Sequence, residues 1–209
     1  LTVYSTAHRK IRLGCKGDGG YVIADTGEKY GCLLSCGVGD NITFELDFVE
    51  RYKIQAYAFD GTVEKLPQEH RLIMFIRKNI SERETEATTN LHDLIAKHDN
   101  IFMKMDIEGY EYPWLASLTS EQLNKISQLV IEFHLPFTQE PGWPAGNTAV
   151  FTKLNATHML VHFHPNNNCQ GVKTHEQIMI PDVFECTYLR KDIAKITGLN
   201  REKIPGVLD

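Results

Sequence analysis

Phe102-Met-Lys-Met-Asp-Ile-Glu-Gly-Tyr-Glu111 is an apolar run that breaks into acidic residues with a glycine among them. A buried strand opening into a chemistry-bearing loop reads this way. Two upstream segments repeat the pattern. Residues 32–41, Cys-Leu-Leu-Ser-Cys-Gly-Val-Gly-Asp-Asn, run into paired glycines, and residues 55–61, Gln-Ala-Tyr-Ala-Phe-Asp-Gly, run into an aspartate. Three strands that each deliver polar groups at their C-terminal ends describe one edge of an open α/β sheet, where such sheets bind ligands. The pattern is that of an enzyme.

Working outward, the apolar spacing predicts strands over about 32–37, 54–59, 72–76, 101–105, 129–134, 159–164 and 183–189. Helices are expected over about 41–52, where Ile42, Leu46 and Val49 mark one face, near 62–69, and over 91–96, 120–126 and 148–156, with Glu111 at or just before another. A Pro/Gly-containing loop covers 136–147. The last two strands lack a strong helical signal between them. The expectation is a doubly wound α/β sheet of seven strands, mostly parallel, with flanking helices and an antiparallel edge strand. Residues 1–31 read as an N-terminal cap or hairpin segment of a single domain spanning 1–209, a size that one core can serve.

Composition narrows the class further. Hydrophobic residues at 42% and charged residues at 23% fit a globular domain. The formal charge of −5 gives no broad attraction for nucleic acid, so no nucleic-acid partner is expected. No apolar stretch is long enough to span a bilayer. Five cysteines without metal-site spacing point to a reduced, cytoplasmic setting. The chain begins with Leu1 rather than methionine, as a piece of a longer polypeptide would.

Gly37 and Gly39 allow a tight turn and close backbone approach to a ligand, and Asp60 lies 21 residues beyond Gly39 at the end of the next strand. A carboxylate there can accept hydrogen bonds from the hydroxyls of an adenosine ribose. NAD and S-adenosylmethionine both suit this arrangement. The shortened glycine pattern lacks an obvious pyrophosphate clamp, which favours the methyl donor. Asn79 and Ile80 are placed to flank an adenine ring, and Asp18, in the glycine-rich Lys16 to Val22 segment, to close over cofactor or acceptor.

At the acidic end, Asp106 and Glu108 are candidates to position an acceptor hydroxyl or to bind a hard divalent cation. Glu132 and His134, two apart on one strand, share a face and are expected to converge with Asp106 on a metal centre or a proton-transfer pair. His164 is a candidate general base, Glu185 a group that orients it or touches substrate, and Asn166 part of the polar exit from the sixth strand.

Leu34-Ser-Cys-Gly-Val-Gly39, Phe59-Asp60 and Lys104-Met-Asp-Ile-Glu-Gly-Tyr-Glu111 together resemble the FkbM-type S-adenosylmethionine-dependent methyltransferases. The resemblance covers about residues 30–135 and continues more weakly through His164-Pro-Asn-Asn167 and Pro181 to Thr187. It implies a Rossmann-like class I methyltransferase fold, with Gly37 and Gly39 beside the methionine moiety and Asp60 at the ribose. It also implies O-methylation, often of sugar hydroxyls, with rhamnose as one candidate acceptor. Related sugar O-methyltransferases can use Mg2+ or another divalent ion such as Mn2+ held by acids at the ends of the fourth and fifth strands, here matched by Asp106 and Glu132, whereas His134 departs from an all-carboxylate set. The chain further resembles a methyltransferase module fused to glycosyltransferase domains, as in large-virus glycan synthesis, which would place the reaction in a host cytoplasm. A nicotinamide-dependent oxidoreductase and a non-enzymatic glycan-binding domain are the rival readings.

Overall fold

The computed structural model describes residues 1–134, 147–166, 172–175 and 178–209. Three of its strands have every residue buried: β1 (Leu33–Cys36), β4 (Ile101–Met105) and β5 (Ile126–His134). Such continuous burial marks strands covered on both faces. The rest of the sheet comprises β2 (Ala56–Phe59), β3 (Ile73–Ile76), β6 (His158–Pro165) and β7 (Val183–Arg190). Among the described residues five helices connect them: α1 (Thr43–Tyr52), α2 (His92–Lys97), α3 (Glu111–Ser117), α4 (Ser120–Lys125) and α5 (Asn147–Thr157). Thr119 begins α4 with a reciprocal capping box to Gln122.

The strand order is β6-β7-β5-β4-β1-β2-β3. Neighbours from β5 through β3 are parallel, while β7 runs antiparallel to both β5 and β6. The fold is thus the expected Rossmann-like α/β sheet of seven mostly parallel strands, with its antiparallel strand one place in from the edge. The chain moves from β1 towards β3, then returns to place β4 on the other side of β1. This reversal makes the β1/β4 crevice the topological switch point.

One sheet face packs against α1 and an antiparallel hairpin, Arg9–Leu13 with Tyr21–Asp25. Tyr21, Ile23, Phe44, Phe48 and Val49 meet Leu33, Phe102 and Val130 there. The opposite face packs on residues of α2 to α5, including Ile95, Trp114, Leu123 and Leu154. Tyr4–Thr6 pairs with Ile196–Leu199, and two further short pairings join Asn79–Ile80 to Thr88–Thr89 and Val172–His175 to Ile178–Pro181.

The helix expected near 62–69 is replaced by bends and irregular chain. Pro67 lacks an amide donor and disfavours helical geometry at Leu66, which interrupts the segment. α3 was marked only by its start, because Pro113 breaks the pattern; within the first turn its missing N–H costs no intrahelical bond. The 136–147 loop lies outside the described residues up to 146. Among the described residues no helix is long and apolar enough to cross a membrane.

Candidate active site

At the end of β1 the backbone turns through Gly37 at φ +73° and Gly39 at φ +52°. A Cβ on Gly37 would run into the carbonyl oxygen of Asp106, so the two strand ends can approach this closely only with glycine there. Gly39 has open space where its Cβ would be, with nothing within 4 Å. The Gly37 amide donates to the Phe59 carbonyl at 2.9 Å, and Lys104 Nζ donates to the Gly37 carbonyl at 2.5 Å.

Asp60 organises this loop. Its Oδ2 accepts the amides of Val38 at 3.1 Å and Gly39 at 2.8 Å, and its Oδ1 accepts the Thr62 amide at 2.8 Å and hydroxyl at 2.6 Å. Burial pushes the Asp60 pKa up, but the hydrogen bonds from Thr62, Gly39 and Val38 outweigh it and hold the carboxyl below its ordinary range. Asn79 Oδ1 accepts the Gly61 amide at 2.9 Å, which brings Asn79 to the same strand end. Ile80 is instead buried in the core cluster that includes Phe59, Leu91 and Ile95.

Across the switch point, Asp106 leaves β4 with its amide bonded to the Cys36 carbonyl at 3.0 Å. Parallel pairing of β4 with β5 brings Glu132 and His134 alongside it. His134 Nε2 lies 3.3 Å from Glu132 Oε1, 3.5 Å from Glu108 Oε2 and 3.8 Å from Asp106 Oδ1. One ligand atom from each of Asp106, Glu132 and His134 falls within 4.8 Å of the others. The convergence expected on these three residues is present. Glu108 adopts φ +55° and its side chain is 85% exposed, at the mouth of the cluster.

Glu111 supports the loop from beneath. Its buried Oε1 accepts the amides of Ile107 and Gly109, both at 3.1 Å, and faces His134 Nδ1 at 3.1 Å. This fixes the Nδ1–H of His134 towards Glu111 and leaves Nε2 towards Asp106 and Glu132. Burial alone would lower the imidazole pKa, but hydrogen bonding to Glu111 and Glu132 prevails and raises it to about 10. Glu132 is raised, chiefly by burial, despite His134. Its Oε2 accepts from Asn166 Nδ2 at 3.0 Å, so Asn166 joins the cluster through Glu132.

Glu185 stands opposite Glu132 on β7, and His164 stands opposite Glu185 on β6. Burial, then the proximity of Glu132, lifts the Glu185 carboxyl to about 8. Because β7 and β5 intervene, three strand spacings separate His164 from Asp106, roughly 14 Å of sheet. His164 is therefore not brought into the Asp106 cluster. Its Nδ1 lies 3.7 Å from Asp209 Oδ2, and burial lowers its pKa. Asp18 is exposed, and its carbonyl rather than its carboxylate is engaged, accepting from Asn41 Nδ2 at 3.1 Å.

Two groups escaped the sequence reading. Tyr21 donates its hydroxyl to Asp106 Oδ2 at 2.9 Å. Glu111 had been noted only as a helix start. The glycine turn just before Tyr21 and the second acid after Asp106 were visible in the sequence, but neither reveals a partner 85 residues away or one strand over.

Residues 17–179 match the family model described as the methyltransferase FkbM domain. No curated protein matches the sequence. Among solved structures, a chain of a fibrillarin/Nop5p complex is similar with TM-score 0.46 and 12% identity over 78% of this chain and 74% of that one. A candidate hemolysin from Lactococcus lactis has TM-score 0.45 and 8% identity over 82% of this chain and 84% of its own. A candidate RNA methyltransferase from Pyrococcus horikoshii has TM-score 0.42 and 9% identity over 78% of each chain.

Proposed function

The chain belongs to the FkbM methyltransferase domain family, and on that premise we propose that it transfers a methyl group from S-adenosylmethionine to a hydroxyl of a sugar or glycan. The observation that carries this reading is the direct abutment of two strand ends: Gly37 of the glycine loop lies against the backbone of Asp106, the first residue of the acidic cluster. A donor bound over Gly37, Gly39 and Asp60 and an acceptor held at Asp106 would share one crevice, as alignment of the reacting groups requires.

The residues fit the cofactor. Open space at Gly39 admits a ligand close to the backbone. The acceptor sites of Asp60 are filled by its four donors, of which the hydroxyl of the exposed Thr62 is free to leave and make room for a ribose hydroxyl. S-adenosylmethionine would supply the electrophilic methyl. The protein's part is to orient the acceptor and remove its proton. His134, with its pKa near 10, is protonated at neutral pH in the arrangement described and serves as a cationic brace for the carboxylates rather than as a base. Asp106 Oδ1 is then the proton acceptor, and Glu108 at the mouth is a hydrogen-bond acceptor for further hydroxyls.

Asp106, Glu132 and His134 are also the residues that would hold a divalent cation; His134 would then give up its proton on Nε2, the nitrogen turned from Glu111, and keep its Nδ1–H on Glu111. The mixed oxygen and nitrogen donor set suits Mn2+ better than Mg2+. Such a cation would lower the pKa of an acceptor hydroxyl. Glu185 and Asn166, which flank Glu132, extend the polar surface towards the acceptor. The free cysteines at 15, 32, 36 and 186 suit a cytoplasmic setting. Rhamnose is the sharpest acceptor within this reading, and fused glycosyltransferase domains its natural source of substrate.

Calorimetric titration with S-adenosylhomocysteine and NAD tests the donor. Selective binding of S-adenosylhomocysteine is expected, and binding of NAD alone would sink the reading. Methyl transfer to a panel of nucleotide sugars and short glycans, with and without EDTA, then tests acceptor and cation. Asp106→Asn should lower turnover by about a hundredfold or more, as loss of a general base does, while keeping affinity for S-adenosylhomocysteine. Turnover equal to wild type would remove Asp106 from the chemistry.

A further inference from the structure

The glycine-rich turn Lys16-Gly-Asp-Gly-Gly-Tyr-Val22 is built with more care than a surface connection needs. Arg12 bonds the carbonyls of Cys15 at 3.0 Å and Gly17 at 2.8 Å, and Asn41, just beyond the glycine loop, bonds the Asp18 carbonyl. A Cβ on Gly20 would collide with the Cys15 carbonyl, so the turn closes this tightly only with glycine there. The result is that Tyr21 enters the protein only 1% exposed, edge-on to Phe44 at 5.7 Å, with Lys104 Nζ 5.3 Å from its ring centre. Lys104 in turn holds the Gly37 carbonyl.

We infer that Tyr21 is a positioning residue: its hydroxyl occupies Asp106 Oδ2 and fixes the carboxylate so that Oδ1 alone faces His134 and the acceptor. Without this bond the carboxylate could rotate about its side-chain torsions and present either oxygen. The functional group of the glycine-rich turn is thus the tyrosine that follows it, and the hairpin acts as a roof that sets the angle of the acid. The inference rests on the assignment of Asp106 as the acceptor-side acid.

Tyr21→Phe deletes the hydroxyl and preserves the buried ring. The expected result is kcat lowered about tenfold to a hundredfold, as for loss of a hydrogen bond to a charged group, with acceptor KM and the S-adenosylhomocysteine Kd each within about twofold of wild type. A crystal structure of the variant should show Asp106 in more than one rotamer. A kcat indistinguishable from wild type, or a single unchanged Asp106 rotamer, overturns the inference. If the wild-type protein binds S-adenosylhomocysteine but methylates no hydroxyl in the panel, the acceptor reading fails by itself. The Asp106 rotamer in the variant then decides the role of Tyr21.

Discussion

Gly37→Ala and Gly39→Ala are the same chemical change two residues apart, and the structure separates their consequences. Both positions have left-handed backbone, at φ +73° and +52°, which costs an alanine about 1–2 kcal/mol. At Gly37 the new methyl also meets the Asp106 carbonyl, a backbone atom fixed by its place at the end of β4. Overpacking of that kind adds about 1–3 kcal/mol, for a total of about 2–5 kcal/mol. At Gly39 nothing stands in the way, so only the backbone cost applies. For a chain of this size each kcal/mol lowers Tm by about 2–4 °C. Gly37→Ala should therefore melt about 10 °C below wild type and Gly39→Ala about 4 °C below, midway through these ranges. Binding should show the reverse order among folded molecules. The methyl of Gly39→Ala projects into the space assigned to the cofactor, and calorimetry should find affinity for S-adenosylhomocysteine lowered about tenfold or more, a loss of about 1.4 kcal/mol. Gly39→Ala melting below Gly37→Ala, or binding S-adenosylhomocysteine as wild type does, would refute the reasoning.

Two further predictions concern the titrating groups. Glu111→Gln removes the charge that faces His134 Nδ1, so the His134 pKa should fall from about 10 towards 6.5, read from the ring resonances by NMR titration. Because the folded pKa lies above the unfolded one, this pairing stabilises the protein fully below pH 6.5 and is lost as pH rises through about 10; a Glu111→Gln protein with the wild-type pH dependence would argue against it. Glu185 has its carboxyl raised from 4.5 to about 8, so the folded state holds an extra proton between those values and wild-type stability falls as pH rises through that window. Glu185→Gln should remove this fall, and its melting advantage over wild type should grow from pH 5 to pH 8; an advantage that shrinks with pH would contradict the assignment.

The central part of the fold was legible because its signals are local. β4 and β1 are short apolar runs ended by polar or glycine residues, and the first strand, first helix and second strand appear close to where periodicity put them. The helix expected at 62–69 shows the limit of that method. Its charged residues permit a helical reading, but Pro67 and the connections from Asp60 to Thr62 and from Asn79 to Gly61 commit the segment to bends and irregular chain. In the site, Asp106, Glu132 and His134 were recognisable because residues at or near the ends of adjacent parallel strands meet by register. His164 carried the same kind of signal and does not join them.

Residue order alone was enough to establish an α/β sheet with a glycine loop, an aspartate and an acidic segment at successive strand ends. Each follows from backbone periodicity and the conformational freedom of glycine within a few residues. Only the tertiary structure decided which of those ends touch. Strand order is a property of the assembled sheet: the chain reversal puts Gly37 against Asp106, while insertion of β7 carries His164 away. The Tyr21 and Glu111 contacts have the same origin, since a hydrogen bond depends on distance and direction in space, and residues 85 or 23 positions apart acquire these only when the hairpin and α3 have docked on the sheet.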